Sequence, residues 1–237
     1  MKNQPIQPFK GFSADASNFL IELSYNNNTA FFHANKQRFT ELLFEPMRSF
    51  VTEMESYLKL IDEDIETLPE LGKCMVRMNR STRFSNDKSP YKTAYWCKFI
   101  PRLLPKTGPG FFLEVGRENI VYGMGYYYTE LPLLRAYRDF ISNNPSRFEE
   151  IVKPFYNCSD LKLTDASYAR PKVTLDSAVC MDFVNRKSIS AMASFPVGGI
   201  SHTKELADKV GTDFLKMKEF YLLLMQLHLS ALSDEIR

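Results

Sequence analysis

The sequence predicts an α+β fold, an antiparallel sheet of four or five strands flanked by N- and C-terminal helices. Three observations predict it. Apolar residues recur at helical spacing before residue 64 and again after residue 131. Between residues 73 and 127 they fall instead into short runs rich in aromatic and β-branched residues. The connections between those runs are too short for the crossovers that parallel strands need. No linker-like stretch interrupts the 237 residues, so the chain reads as a single globular domain over 1–237, with helices about 13–64, sheet about 73–127, and helices and one strand about 131–233.

Taken in order, Ser13 is a good N-cap, and Ala16, Phe19, Leu20 and Leu23 carry a helical stripe that Asn26, Asn27 and Asn28 break. Phe32, Phe39, Leu43, Met47, Phe50, Met54, Leu58 and Ile61 continue at steps of three, four and seven. They describe one long amphipathic helix or two in line, kinked or divided at Pro46. Segments 73–79, 94–100, 110–116 and 119–127 read as four strands, with Gly116 to Asn119 as a hairpin turn. Gly123 and Gly125 lie inside the last of these, where glycine marks a bulge or a close backbone approach. Helical spacing returns at Leu131, Leu134, Tyr137, Arg138 and Ile141, and Pro145 fits the first position of the next helix. Residues 158–176 are weakly patterned, and 187–195 offer one more strand before Gly198 and Gly199. Thr212 is read as the cap of a final helix striped by Phe214, Met217, Phe220, Tyr221, Leu224 and Leu227.

Composition bounds the function. Hydrophobic residues at 44% and charged residues at 24% exclude a disordered or collagen-like chain, and a net charge of +2 excludes a generally basic nucleic-acid packager. Cys74, Cys97, Cys158 and Cys180 form no close pair and no C-x-x-C, which points to four reduced thiols. The start has no apolar signal core, and the densest apolar stretch, Tyr221 to Leu229, is half a membrane span and interrupted by Gln226 and His228. A cytoplasmic protein without membrane association is expected. No nucleophile elbow, zinc-protease motif, phosphate-binding Gly-Lys loop or dinucleotide fingerprint occurs, so no cofactor is implied. His33, His202 and His228 stand on three separate helical segments, and no metal set is expected from them.

One segment concentrates charge. From Arg77 to Lys92 there are five cations, Arg77, Arg80, Arg83, Lys88 and Lys92, and one acid, Asp87. Its charge of +4 leaves −2 for the rest of the chain. Ser85, Asn86, Asp87, Ser89 and Pro90 are turn formers, so 84–91 is expected to be a loop. Guanidinium groups beside such a loop can hold a phosphate or carboxylate. Phe84 and Tyr91 offer stacking faces for a base or sugar. Asp87 can orient an arginine or act as a base. Against this stands a structural network in which the arginines pair with acids and tie the loop down.

The pattern R-x-x-R-x-x-R-F-S-x-D-K-x-P-Y-K, Arg77 to Lys92, resembles the signature of a bacterial and fungal family, the domain of unknown function 2461. Further similarities run along nearly the whole chain: Asn26, Asn27, Phe31, Phe32, Asn35 and Lys36, then Pro46, Gly110 to Glu114, Gly123 and Gly125, Arg135 or Arg138, and Asp182-Phe-Val-x-Arg186. Ser81 stands where the family usually has an acid, and Phe31 and Phe39 where tryptophan and tyrosine are common. The first departure leaves this loop more cationic. The resemblance implies no particular reaction.

Three functions compete. The first is an enzyme or binding protein for a small anionic, phosphorylated ligand, held by Arg77, Arg80, Arg83, Lys88 and Lys92, with Asp87, Tyr91 or Glu114 as acid–base candidates. The second is a nucleic-acid module that adds Tyr95, Trp96 and Tyr126 to Tyr128 as stacking groups, against which the near-neutral charge counts. The third is a non-catalytic interaction protein with a structural arginine network. The sequence sets no oligomeric state.

Overall fold

A computed structural model describes residues 5–81, 83, 86–104, 108–157, 160–163 and 167–235, with side chains to residue 231. Helices α1 (Ala14–Tyr25), α2 (Thr29–Ala34), α3 (Lys36–Phe39) and α4 (Glu45–Ile61) come first, followed by strands β1 (Tyr95–Phe99), β2 (Gly110–Val115) and β3 (Asn119–Gly125). Then come α5 (Leu131–Asn143), α6 (Pro145–Tyr156), the two-residue strand β4 (Lys162–Leu163), α7 (Ala178–Val184), β5 (Ser190–Pro196), α8 (Glu205–Lys216) and α9 (Lys218–Glu235). The strands form one five-stranded antiparallel sheet in the order β1-β2-β3-β5-β4. At its far edge Lys162 pairs with Met192 and Leu163 with Ala191. This is the α+β class that the change of period predicts. No helix among the described residues is long and apolar enough to cross a membrane.

The long helical stretch is divided, and the division has a cause. Pro46 has no N–H to donate, and the turn ahead of it, Thr40–Phe44, widens to π geometry, with the Glu45 N–H donating to the Thr40 carbonyl. The proline then sits harmlessly in the first turn of α4. The expected strand over 73–79 does not form. Its backbone donors are spent on the preceding turn: Lys73 and Met75 N–H donate to the Glu70 carbonyl, and Cys74 N–H to the Leu68 carbonyl. What remains is a set of single bridges, Met75 to Cys97 and Asn79 to Tyr91. The hairpin turn does form, with Gly116 N–H donating to the Asn119 carbonyl at 2.9 Å. Thr212 is not a cap. It lies within α8, whose buried Leu206, Val210 and Phe214 keep one helical stripe through that position, and the chain breaks only at Met217.

Two compact units divide the residues. The first comprises Met1–Phe99, Phe112–Tyr122 and Ser194–Thr212. Its core is built from α1 and α4, with Phe19, Leu20, Leu23, Phe50, Val51, Met54 and Leu58 all fully buried. Phe9 caps this core edge-on to Phe12 and Phe50, at ring separations of 5.2 and 5.3 Å. Burying a side chain of this size contributes roughly 1.5–3 kcal/mol. Phe12 is also tied to the chain ahead of α8, its N–H donating to the Ser201 carbonyl.

The second unit comprises Ile100–Phe111, Gly123–Ala193 and Asp213–Arg237. Here α5 packs on α6, α7 and α9. Phe148, Phe155, Phe183 and Phe220 form its aromatic centre, with Phe148 edge-on to Phe183 at 5.1 Å and Phe155 tilted on Phe220 at 5.3 Å. Gly123 is a close approach, as its place inside a strand suggests. A Cβ there would lie 2.2 Å from the Ala191 carbonyl oxygen, and one at Gly125 would lie 2.5 Å from that of Ile189.

Cys74, Cys97 and Cys180 are buried thiols. Desolvation pushes Cys97 up to about 12 and Cys74 higher still, so neither forms a reactive thiolate near neutral pH. Cys158 lies outside the described residues.

Gly123→Ala is expected to destabilise the protein by about 1–3 kcal/mol, because backbone rather than a flexible side chain meets the new methyl group. Urea unfolding of the variant measures it. An unchanged midpoint would mean that the strands can separate there at no cost.

Candidate functional site

The basic segment is a hairpin end held from below. Arg80 N–H donates to the Pro90 carbonyl at 2.8 Å and Lys92 N–H to the Met78 carbonyl at 3.0 Å, so residues 78–80 and 90–92 face each other across the loop. A side-chain amide completes this pairing. Asn27 Nδ2 donates to the Tyr91 carbonyl at 2.9 Å, while Tyr91 N–H donates back to Asn27 Oδ1 at 3.0 Å. Next to it, Asn28 caps α2 by accepting from Phe31 N–H at 2.9 Å. Phe32, one turn along α2, stacks on the Tyr91 ring at 4.1 Å and 21°. Tyr91 is 4% exposed. Asn27 and Phe32 therefore anchor the loop that the arginines occupy, and Asn28 caps the helix that carries Phe32.

The loop's charged residues divide into braces and displayed groups. Lys92 is a brace: Nζ donates to the Arg77 carbonyl at 2.5 Å and sits 4.6 Å from the centre of the Trp96 ring, and burial pulls its ammonium below the usual lysine range. Arg80 pairs with Asp87 across the loop. Asp87 also accepts from Ser89 N–H at 2.9 Å. The Ser89 hydroxyl, the Ser89 backbone and then Arg80 hold the Asp87 carboxyl below the usual range. Arg77, Arg80, Arg83, Asp87 and Lys88 are all exposed. Phe84 and Ser85 lie outside the described residues.

The three acid–base candidates are in different situations. Asp87 is an ionised partner of Arg80, which makes it an orienting group and a poor proton donor. Tyr91 is a packed ring under the loop. Glu114 is half-buried on β2, and burial raises its carboxyl. Among the described residues no hydrogen bond or ion pair joins Glu114 to the 77–92 segment. Of the stacking groups considered for nucleic acid, Tyr95 is 1% and Tyr126 7% exposed, which removes them, whereas Tyr127 and Tyr128 are open. Among the described residues no group of His, Cys, Asp and Glu side chains is placed to hold a metal ion.

The anchoring role of Asn27 is not readable from spacing, because its partner stands 64 positions away. Its traces in the sequence are the asparagine run that ends α1 and its place in the family-like pattern from Asn26 to Lys36.

Fold and site together define an α+β protein that presents a braced, basic hairpin loop. A family model described as "Conserved hypothetical protein (DUF2461)" matches residues 15–222, and the chain belongs to that family. Comparison with curated proteins and with solved structures found no match.

Two outcomes are expected. Asn27→Ala strands the N–H and carbonyl of a mostly buried Tyr91 and costs about 1–3 kcal/mol in chemical denaturation. Asp87, with its folded pKa lowered, contributes stability that is full above the unfolded carboxylate value, about 3.9, and is lost as pH falls through the folded one. In carboxyl NMR titrations Ser89→Ala should raise the Asp87 value further than Arg80→Met does. The reverse order would make Arg80 the principal partner.

Proposed function

We propose that the protein binds a small phosphorylated ligand at the 77–92 loop, with Arg77, Arg83 and Lys88 as contacts and Arg80 held ready by Asp87. The observation that supports this reading most is the division of labour within the loop. Its base is fixed by Asn27, Tyr91, Phe32 and Lys92, while the remaining cations stand exposed above it. A fixed base reduces the ordering cost that an anion must overcome. Arg80 keeps about a third of its side chain open while paired. An anion approaching it competes with Asp87 or shares the guanidinium, whose five N–H groups exceed what one carboxylate uses. Binding is the proposed activity. Should a reaction accompany it, Glu114, whose carboxyl burial raises above the usual range, is the acid–base candidate.

Nucleic acid ranks lower, because two of its five candidate aromatic platforms, Tyr95 and Tyr126, are buried. It remains distinguishable by salt: four phosphate contacts to a single strand give a logarithmic slope of about −3.

Phosphate, pyrophosphate and a nucleotide panel should raise the melting temperature of the parent, a gain equivalent to about 2.7 kcal/mol at a hundred times the dissociation constant. Arg83→Met and Lys88→Met should stay folded and lose that shift. A parent that shows no shift, with variants that lose several kcal/mol, would return the segment to a purely structural role.

A further inference from the structure

A second cationic cluster lies in the other unit, and nothing in the loop's function calls for it. Three cations gather on one ring: Arg138 Cζ lies 5.1 Å, Lys172 Nζ 5.3 Å and Lys187 Nζ 5.9 Å from the centre of Tyr168. Among the described residues no carboxylate forms an ion pair with any of the three. The nearby carboxylate of Asp182 is taken by Arg186. Like charges that all lie within 5.9 Å of one ring centre repel, and salt screens that repulsion only in part, the Debye length being about 8 Å at physiological ionic strength. The two faces of one aromatic ring offset part of that repulsion.

The cluster is built, not a chance meeting of surface side chains. Arg138 reaches from α5 to the end of α7, where Nε donates to the Val184 carbonyl at 3.2 Å and Nη2 to the Arg186 carbonyl at 3.4 Å. Carbonyls fix the guanidinium without cancelling its charge. Asn185, 4% exposed, holds the facing segment: Oδ1 accepts from Lys172 N–H at 2.7 Å and Val173 N–H at 3.2 Å, and Nδ2 donates to the Val173 carbonyl at 2.9 Å. The Asn185 carbonyl also accepts from Tyr168 N–H at 2.9 Å, and Ser167 bridges to Arg186. One buried asparagine thus sets both the ring and one of the lysines relative to Arg138.

We propose that Arg138, Lys172 and Lys187 around Tyr168 form a second anion site, selective for a phosphate dianion such as a small phosphomonoester. Two ammonium groups supply point charge, and the guanidinium supplies directed N–H donors. Three cations with no ion-paired carboxylate among the described residues favour a dianion over a carboxylate monoanion by charge alone. The site shares no residue with the 77–92 loop and stands or falls separately from it.

The test is a titration of the full chain with inorganic phosphate at constant ionic strength, read from the NMR signals of the Asn185 side-chain amide and the Tyr168 ring. Saturable shifts with a dissociation constant of about 1 mM or tighter are expected, with acetate weaker by about tenfold or more. Lys172→Met and Lys187→Met should each weaken phosphate binding by about tenfold while leaving the fold intact, since both side chains are exposed. Arg83→Met, in the loop, should leave these signals unchanged. Identical responses to phosphate and acetate, unsaturable shifts, or full binding in the Lys172→Met, Lys187→Met double variant would overturn the site. A single-stranded oligonucleotide that moves the same signals at lower concentration than phosphate would overturn its assignment to a small ligand.

Discussion

The two hydrogen bonds between the Asn27 amide and the backbone of Tyr91 are the constraint on which the basic loop depends. Residues 73–79 fail to become a regular strand, and the backbone pairing at the loop's base is short, with Arg80 N–H donating to the Pro90 carbonyl and Lys92 N–H to that of Met78. An amide side chain carries one donor and one acceptor in the geometry of a peptide group, and Asn27 uses them as a strand neighbour would. With Phe32 stacked on the ring beneath, the hydrogen bonds are shielded from water, which raises the cost of losing either one. The loop's exposed arginines owe their position to a residue that carries no charge.

The same device recurs in the second unit. Asn185 ends α7 and pins residues 172 and 173 through its amide, and it reaches Tyr168 through its backbone. Among the described residues of 160–177 the regular structure is the two-residue strand β4, so here too irregular backbone is held by a side-chain amide. In both places most of the cations stand on chain that has little regular structure of its own, Arg138 on α5 being the exception. Loops free of ladder geometry can aim several side chains in one direction, provided something else fixes them.

Particular residues show what was legible in the sequence and why. The stripe from Phe19 to Leu23, the hairpin at Gly116 and the close approach at Gly123 follow from local spacing, and local spacing survived in the fold. Pro46 announced a division, although its form, a π turn just ahead of it, depended on how the backbone recovers a missing donor. The strand expected over 73–79 and the cap expected at Thr212 were lost to neighbours: the 68–70 turn took the first one's donors, and continued packing carried α8 past the second. Helix α7 was too short, at seven residues, to show a period. The charge of the 77–92 loop was evident from composition. Its braces were not, since Asn27 and Phe32 act across some sixty residues of chain. The cluster around Tyr168 left no local signal, because Arg138, Lys172 and Lys187 are scattered in sequence and meet at the Tyr168 ring.

Counting cations overstates one of these clusters and understates the other. In the loop, Arg80 is matched by Asp87, so part of the formal charge is already neutralised and an incoming anion must compete for it. At Tyr168, Arg138 is held by two carbonyl oxygens, which occupy two of its five N–H donors while leaving its positive charge intact. A carbonyl partner gives orientation without neutralisation, and a carboxylate partner gives both. The three cations at Tyr168 therefore carry a larger share of their formal charge to a ligand than the more numerous cations of the loop, although the sequence draws attention to the loop alone. What decides the strength of an anion site is which atoms hold its arginines, and that is a property of the fold.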